Sequence, residues 1–402
     1  MDTIPMQGED QLKVTLVHDW LTGMRGGEKV LELLCQRFPE APLWTLLYVP
    51  GTVSDTISRR TIRTSPMQGL PWVRSKYRHY LPLFPFMAEL TRVSDADLVI
   101  SSSHAVAKAM VRKNGGHRPL HICYIHTPMR YVWDRFDDYF GSEKVGALFS
   151  QSVFRPVAKM LQWYDLRTVN RVDKFIANSR FVAERVRRLY GREAEILAPP
   201  VDVARCSRIV RSPEDWYLMV TALAPYKRVD EAICACAALG RKLTIIGSGP
   251  ERKRLESLAR SVGGEVEFRG FVDDLELVDH YRRAKALLFP GIEDFGIVPV
   301  EAIAAGCPVV ALGKGGVLDS MTDKTAVLYS DESVNGLVQA IREFELRSFD
   351  EHELRRQAAK FSPDKFLVGF EEILADVLQM KFEQSLFTRE IAKRSTAVAD
   401  QL

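Results

Sequence analysis

The stretch FPGIEDFGIVPVEAIAAGCPVVA, residues 289–311, holds two glutamates, Glu293 and Glu301, in an otherwise nearly uncharged run punctuated by Gly291, Gly296, Gly306 and three prolines. KALLF, ending at Phe289, reads as a strand and PGIEDFG as a loop. VPVEAIAA reads as a helix with Pro299 tolerated in its first turn and Gly306 as its cap, and CPVVA as the next strand. Glu293 then sits in a loop after a strand and Glu301 on the first turns of a helix. Desolvating a carboxylate is costly unless it is hydrogen-bonded, so both need partners.

The same alternation extends outward. KVTLV (13–17), ADLVISSS (96–103), LHICYIH (120–126) and DKFIANS (173–179) read as strands, and EKVLELLCQRF and FVAERVRRLYG as helices, the latter closed by Gly191. A Pro-rich, charged passage, EILAPPVDVARCSRIVRSPEDW, interrupts the pattern. Beyond it YLMVTAL, KLTIIGSG, VEFRGF, KALLFPG, CPVVALG and TAVLYS alternate with further helices. The expectation is an α/β protein of two Rossmann-like domains, 12–197 and 215–375, joined by a linker at 198–214 and followed by a helical tail at 376–402. Two such domains enclose a cleft, and ligands bind such folds at the carboxyl ends of strands.

The composition is that of an ordinary globular chain: 402 residues, 46% hydrophobic, 27% charged, net charge +3. So mild a charge gives no argument for nucleic acid across the whole surface. The six cysteines are scattered except for Cys234 and Cys236, which lie in the apolar helical pattern DEAICACAALG without a second pair at zinc spacing, so buried free thiols are expected. The polar, acidic first residues do not read as a signal peptide, and no apolar run is long enough for a membrane span. A cytoplasmic enzyme is the expectation.

Residues at predicted strand ends are the candidates for function. In VHDWLTGMRGGEK, Gly26 and Gly27 precede a helix and let backbone amides approach an anion, although a plain turn explains them equally; Arg25 beside them favours phosphate. In YIHTPMRYVWD, His126 ends a strand, and Arg130, Tyr131 and Trp133 offer the polar and aromatic surface that suits a sugar. In ALAPYKRVDEAI, Lys227 and Arg228 form either a solvated pair or a counter-charge for a diphosphate. Gly247 and Gly249 in IIGSGPE make a tight turn through which a ligand can come close.

Taken in order, these motifs resemble a known family. Glu293 and Glu301 in FP…EDFGIVPVEA, followed by GCPVVA, resemble the retaining nucleotide-sugar glycosyltransferases of family 4, which have the GT-B fold. LVHDWL, GGEK, SSSHAVAK, IHTPMRYVWD, ANSRFVAERVRRLYGRE, PPVDV and PYKRVD are similar to the GDP-mannose-dependent mannosyltransferases of bacterial exopolysaccharide and O-antigen (lipopolysaccharide) assembly. The resemblance covers residues 13–380. It implies C-terminal helices that cross back to the N-terminal domain. It also implies catalytic or donor-contacting roles for His126, Glu293 and Lys227. Donor binding falls to Gly26, Gly27, Arg228, Gly247, Gly249, the main chain of Phe295, Gly296, Ile297 and Val298, and to Glu301 on the ribose. Acceptor binding falls to Asp19, Trp20, Arg130, Tyr131 and Trp133. The implied acceptor is a polyprenyl-diphosphate-linked saccharide. One departure stands out: relatives carry a phosphate-binding arginine where this chain has Ala222 in TALAPYK, so Lys227, Arg228 or Arg25 has to supply that charge.

Two decoys remain. Asp95 and Asp97 form a D-x-D, but they precede a strand instead of following one, and the acidic pairs at 137–138 and 273–274 lack further ligands. No cofactor and no required metal are expected. LPWVRSKYRHYLPLFPFMAELTR (70–92) mixes Trp72, Arg74, Lys76 and Arg78 with further aromatics against a single acid, Glu89. It reads either as a helix packed on the domain or as a docking site for the anionic inner membrane surface. The rival readings are a UDP-sugar-dependent transferase, a sugar-nucleotide 2-epimerase and an inactive scaffold.

Overall fold

The computed structural model describes residues 12–91, 93, 96–111, 118–134, 136, 150–207 and 210–380. Asp95, the pair at 137–138 and most of the 376–402 tail lie outside them.

Two all-parallel sheets form the framework. The first has seven strands, β1 (Val14–His18), β2 (Leu43–Thr45), β3 (Ile62–Thr64), β4 (Leu98–Ser103), β5 (Leu120–Ile125), β6 (Lys174–Ala177) and β7 (Ala194–Ile196), in the order 3-2-1-4-5-6-7. The second has six, β8 (Trp216–Val220), β9 (Lys242–Ile246), β10 (Val266–Gly270), β11 (Ala286–Phe289), β12 (Val309–Leu312) and β13 (Ala326–Tyr329), in the order 10-9-8-11-12-13. β4, β5, β11 and β12 are buried along their whole length. That is why they read as continuous apolar runs in the sequence. β2, β3 and β7, three residues each and lying towards or at the sheet edges, carry too short a pattern to be read, and β7 falls in the passage taken for a break.

Strand order reverses between β1 and β4 in one sheet and between β8 and β11 in the other. A crevice opens at each reversal, outside the carboxyl ends of the strands. The connecting helices include α1 (Gly26–Arg37), α2 (Arg155–Arg167), α3 (Arg180–Tyr190), α4 (Val229–Leu239) and α5 (Ile297–Ala304). Gly191 closes α3 in the left-handed region, its amide donating to the Arg187 carbonyl, and Gly306 stands left-handed beyond α5, both as expected. Cys234 and Cys236 lie in α4, and all six cysteines are free thiols.

Two expected boundaries move. Val201 and Cys206 are buried in the C-terminal core, and Arg211 donates to the carbonyls of Tyr281, Ala284 and Lys285, so the 198–214 segment is fastened to the second domain. The helix running from 363 to 380 belongs with the first domain, contrary to the boundary at 375. Phe366, Phe370, Leu374 and Val377 join Leu16, Leu31, Leu34 and Cys35 in one core, and Glu371 pairs with Arg37 of α1. The expected return of the C-terminal helices is thus present.

Candidate active site

The N-terminal half of the site is built on three adjacent strand ends. His18 is the last residue of β1, Ser102 is the penultimate residue of β4, and His126 directly follows β5. The Ser102 hydroxyl lies 3.0 Å from His18 Nδ1 and 2.8 Å from His126 Nε2. Burial drives the His126 pKa well below the usual histidine range, and His104 and His18 push it the same way, so the ring is neutral near pH 7. α1 begins against these rings. A Cβ on Gly27 would stand 3.4 Å from His126 Nε2 and 3.6 Å from His18 Cε1, so only a residue without a side chain lets the helix start so close. Glu28 in the first turn of α1 accepts from the Arg25 amide at 3.1 Å.

The C-terminal half is built on two loops that touch. A Cβ on Gly291 would lie 3.2 Å from Lys227 Cα, so the PYK turn and the PGIEDFG loop run in contact, and Lys227 Nζ pairs with Glu293 Oε1. Arg228, next after Lys227, is in the left-handed region at φ 55°. Glu301 is buried and has protein partners: Oε1 accepts from Arg205 at 3.0 Å and Oε2 from the Tyr281 hydroxyl at 3.1 Å. Burial raises its pKa, with Arg205 and Tyr281 opposing. Both glutamates of the opening stretch therefore have partners within the chain. Each carboxylate oxygen keeps a second lone pair for a ligand hydroxyl.

The two halves abut. A Cβ on Gly26 would come 2.8 Å from Ile297 Cδ1, so the first turn of α1 meets the first turn of α5 across the domain boundary. No side chain caps either helix start by hydrogen bonding from Arg25 or Gly296 to the first-turn amides. Two helix N-termini converging here, with Lys227 near one and the exposed Arg25 at the other, favour an anion between them. Asp294, unmarked in the sequence reading, fastens the halves. Its carboxylate pairs with Arg130 and, at 2.8 Å, with Arg185, and its carbonyl accepts from the Ser179 hydroxyl. Arg185 also donates to Thr127 Oγ1 at 2.7 Å. A second contact joins Arg180 to Asp319. Gly315 and Gly316 are needed behind this loop, since Cβ atoms there would lie 2.5 Å from the Glu293 carbonyl and 2.1 Å from that of Asp294.

Several expected site residues are placed elsewhere. Asp19 is fully buried, and its carboxylate accepts from the amides of His104, Ala105, Val106 and Ala107 at 2.6–2.9 Å, which makes it a brace for the loop after β4 and not an acceptor contact. Trp20 is buried against Tyr77, Phe84 and His104 because its neighbours pull it into the core. Trp133 donates to Asp165 at 2.9 Å, and Tyr131 packs on the same core. Arg130 is at the domain boundary as a partner of Asp294. The Arg228 guanidinium is taken by Glu231 and Glu332, so it is no diphosphate ligand in this arrangement. Cβ atoms on Gly247 and Gly249 would strike the carbonyls of Thr221 and Leu223 at 1.9 and 2.3 Å; neighbouring backbone, and no ligand, demands these glycines. The Phe295 ring is buried 5.6 Å from Phe361, leaving only its main chain for a ligand. Ala222 is exposed in the loop that follows β8, with no arginine in its place.

His18, Ser102, Glu28 and Asp294 were missed as site residues. The first three lie in LVHDWL, SSSHAVAK and GGEK, and the available signal was the position of His18 and Ser102 at strand ends and of Glu28 at a helix start. Asp97 accepts from the Lys13 amide at 3.0 Å and Asp273 caps a helix, both structural tasks. Among the described residues no three His, Cys, Asp or Glu side chains converge as a metal site would need.

Comparison with known proteins agrees with this geometry. Residues 24–205 match the family model for glycosyltransferase family 4, and residues 208–362 the model for glycosyl transferases group 1. The chain has the GT-B fold. The fold is shared with the lipopolysaccharide outer core galactosyltransferase WaaB, at a TM-score of 0.65 and 16% identity over 91% of this chain and 99% of that one. Glycogen synthase of Mycobacterium tuberculosis is 32% identical over 43% of this GT-B chain and 46% of its own length. The GDP-mannose-dependent alpha-(1-6)-phosphatidylinositol monomannoside mannosyltransferase of the same organism is 31% identical over 31% of the chain and 36% of its own. The chain thus spans about half or less of the length of these curated relatives.

Proposed function

We propose that this GT-B protein transfers a mannosyl group from GDP-mannose to a saccharide acceptor, with retention of anomeric configuration. The observation that carries the transferase reading is the convergence of the α1 and α5 N-termini beside the Lys227–Glu293 pair. A nucleotide sugar has one diphosphate to sit between two positive helix ends and sugar hydroxyls to engage carboxylates. On binding, Lys227 exchanges Glu293 for the diphosphate and stabilises it as it leaves. Glu293, released, accepts from hydroxyls of the sugar, and Glu301 from the ribose. Arg25, exposed at the opposite lip, supplies the charge missing at Ala222. Attack and departure occur on one face of the sugar, the leaving phosphate taking the acceptor proton, so no second carboxylate is required and no metal is invoked. The mannosyl assignment rests on the sequence motifs and on the mannosyltransferase relative. A UDP-sugar donor is the reading to exclude.

The polyprenyl-linked acceptor and a membrane location belong to the same proposal. Trp72 and Phe86 are 77% and 59% exposed, among the exposed Arg74, Lys76 and Arg78. α2 packs beside this segment, Tyr164 donating to Glu89, and adds Lys159, Met160, Arg167 and a 58% exposed Trp163 to the same basic and aromatic face. No helix among the described residues is long and apolar enough to cross a membrane, so this face is where an anionic bilayer would be met.

Thermal shift with GDP-mannose, UDP-glucose, UDP-GlcNAc and NAD tests the donor, because a ligand raises stability by RT ln(1 + [L]/Kd). A shift with GDP-mannose alone, together with mannosyl transfer to a lipid-linked saccharide, is expected. Stabilisation by a uridine nucleotide and none by guanine would replace the donor. Flotation with anionic liposomes tests the surface; binding unaltered after Arg74, Lys76 and Arg78 are changed to Glu removes it.

A further inference from the structure

The Ser102 hydroxyl lies between two imidazole nitrogens, His18 Nδ1 at 3.0 Å and His126 Nε2 at 2.8 Å. A hydroxyl has one proton, so it donates to one ring and accepts from the other, and the tautomers of the two histidines are coupled. Glu28 sets the direction. Its Oε2 is held by the Arg25 amide at 3.1 Å, and its Oε1 lies 3.9 Å from His18 Nε2. Burial works to raise the Glu28 carboxyl, yet His18 and the backbone hold it below the usual range, so it is ionised near neutrality. His18 Nε2 is buried and has no other partner among the described residues. At 3.9 Å the contact is too long for a hydrogen bond, but facing a carboxylate an N–H is favoured over a lone pair.

With the proton on His18 Nε2, His18 Nδ1 accepts from the Ser102 hydroxyl. Ser102 then accepts from His126 Nε2–H, and His126 Nδ1 is left bare. The His126 side chain makes no other hydrogen bond among the described residues. We propose that Glu28, His18 and Ser102 form a positioning relay that fixes His126 in the Nε2–H tautomer, so that its Nδ1 is offered as an acceptor to a hydroxyl of the bound sugar. The relay rests on the reading of His126 as a residue facing the transferred sugar. It adds a selectivity: a donor sugar that covers His126 but lacks that hydroxyl shuts the acceptor off from water unpaired and is disfavoured.

The neighbouring serine provides an internal contrast. Ser101, on the opposite face of β4, lies 2.8 Å from His121 Nε2, and His121 Nδ1 lies 2.8 Å from the Arg171 carbonyl. A carbonyl only accepts, so His121 is the Nδ1–H tautomer, the reverse of His126.

Ring nitrogen resonances of the full-length protein labelled with 15N-histidine, assigned by His126→Asn and His121→Asn difference spectra, read both tautomers without any ligand. The expected result is Nε2–H for His126 and Nδ1–H for His121. Ser102→Ala and Glu28→Gln each convert His126 to a mixture while leaving His121 unchanged, and Ser102→Thr restores a single tautomer. In transfer assays Ser102→Ala lowers kcat/KM roughly tenfold with GDP binding unaltered, and Ser102→Thr recovers most of it. A wild-type His126 in the Nδ1–H form overturns the relay, as does a tautomer indifferent to both Ser102→Ala and Glu28→Gln. The expected tautomers in a protein that transfers no sugar leave the relay standing and remove the function.

Discussion

The two halves of the site are held by different physics. On the N-terminal side His18, Ser102, His126 and Glu28 are anchored to strand ends and a helix start, with the rings buried or nearly so and His126 neutral. On the C-terminal side Lys227 and Glu293 sit on two loops, each still partly reached by solvent, and neutralise one another. The first arrangement is set before any ligand arrives; the second is an ion pair that a diphosphate and a sugar can exchange for better partners. One half orients and the other responds. Asp294, in the responsive loop, ties it to Arg130 and Arg185 of the rigid half.

Breaking that tie has the largest expected effect. Asp294→Ala leaves Arg185, 7% exposed at its side chain, without its closest inter-domain partner. Arg185 keeps Asp134 as a partner, so unfolding in urea is expected to show a loss of about 3 kcal/mol, that of hydrogen bonds to charged groups. Unchanged stability would mean that the halves are joined by other means. Next, Lys227→Ala removes the cation of the responsive half. Transfer is expected to fall roughly 10²–10³-fold in kcat, as for loss of one electrostatic stabiliser, with thermal stability near that of the parent. A variant with near-normal turnover would move the diphosphate site elsewhere, Arg25 being the first candidate.

Acid separates the halves. His104, His121 and His126 are all held below the usual histidine range by burial, His121 down to about 3. The unfolded chain therefore binds more protons than the folded one once pH falls below about 6.5, and stability is lost on acidification towards the folded values. Unfolding free energies from urea titrations at pH 7.5 and 5.5 are expected to fall, below about pH 6.5, by up to about 1.4 kcal/mol per pH unit per histidine. A flat profile would show that these rings are charged in the native state. The smallest effect is at the outer face: Arg74→Glu or Lys159→Glu should change stability by less than about 0.5 kcal/mol, since both are exposed. A larger loss would show that this face packs on the domain and is not free to dock.

Much of the fold was legible because the central strands are buried on both faces and so stand out as apolar runs; LVISSS, LHICYI and ALLF are of this kind. The short outer strands LWT, IRT and AEI carry no such pattern. Within the site, Glu293, Lys227, His126, Gly26 and Gly27 were legible from their places at strand ends and helix starts. Asp19 and Trp20 share those addresses but point inward. A strand-end position gives no information about which way a side chain turns, and the four amides around Asp19 come from residues 104–107, far along the chain. Gly247 and Gly249 looked like openings for a ligand and are openings for the neighbouring loop.

The sequence by itself determined two parallel α/β domains, the strand–loop–helix address of Glu293 and Glu301, and the set of polar residues at the strand ends, because all of these follow from local periodicity and turn chemistry. Only the tertiary structure decided that Lys227 partners Glu293, that Arg205 and Tyr281 partner Glu301, that Asp294 clasps the domains, and that Ser102 couples two histidines. Those pairings join residues tens to hundreds of positions apart, and a carboxylate or a hydroxyl acquires its role from whichever donor the fold brings within about 3 Å.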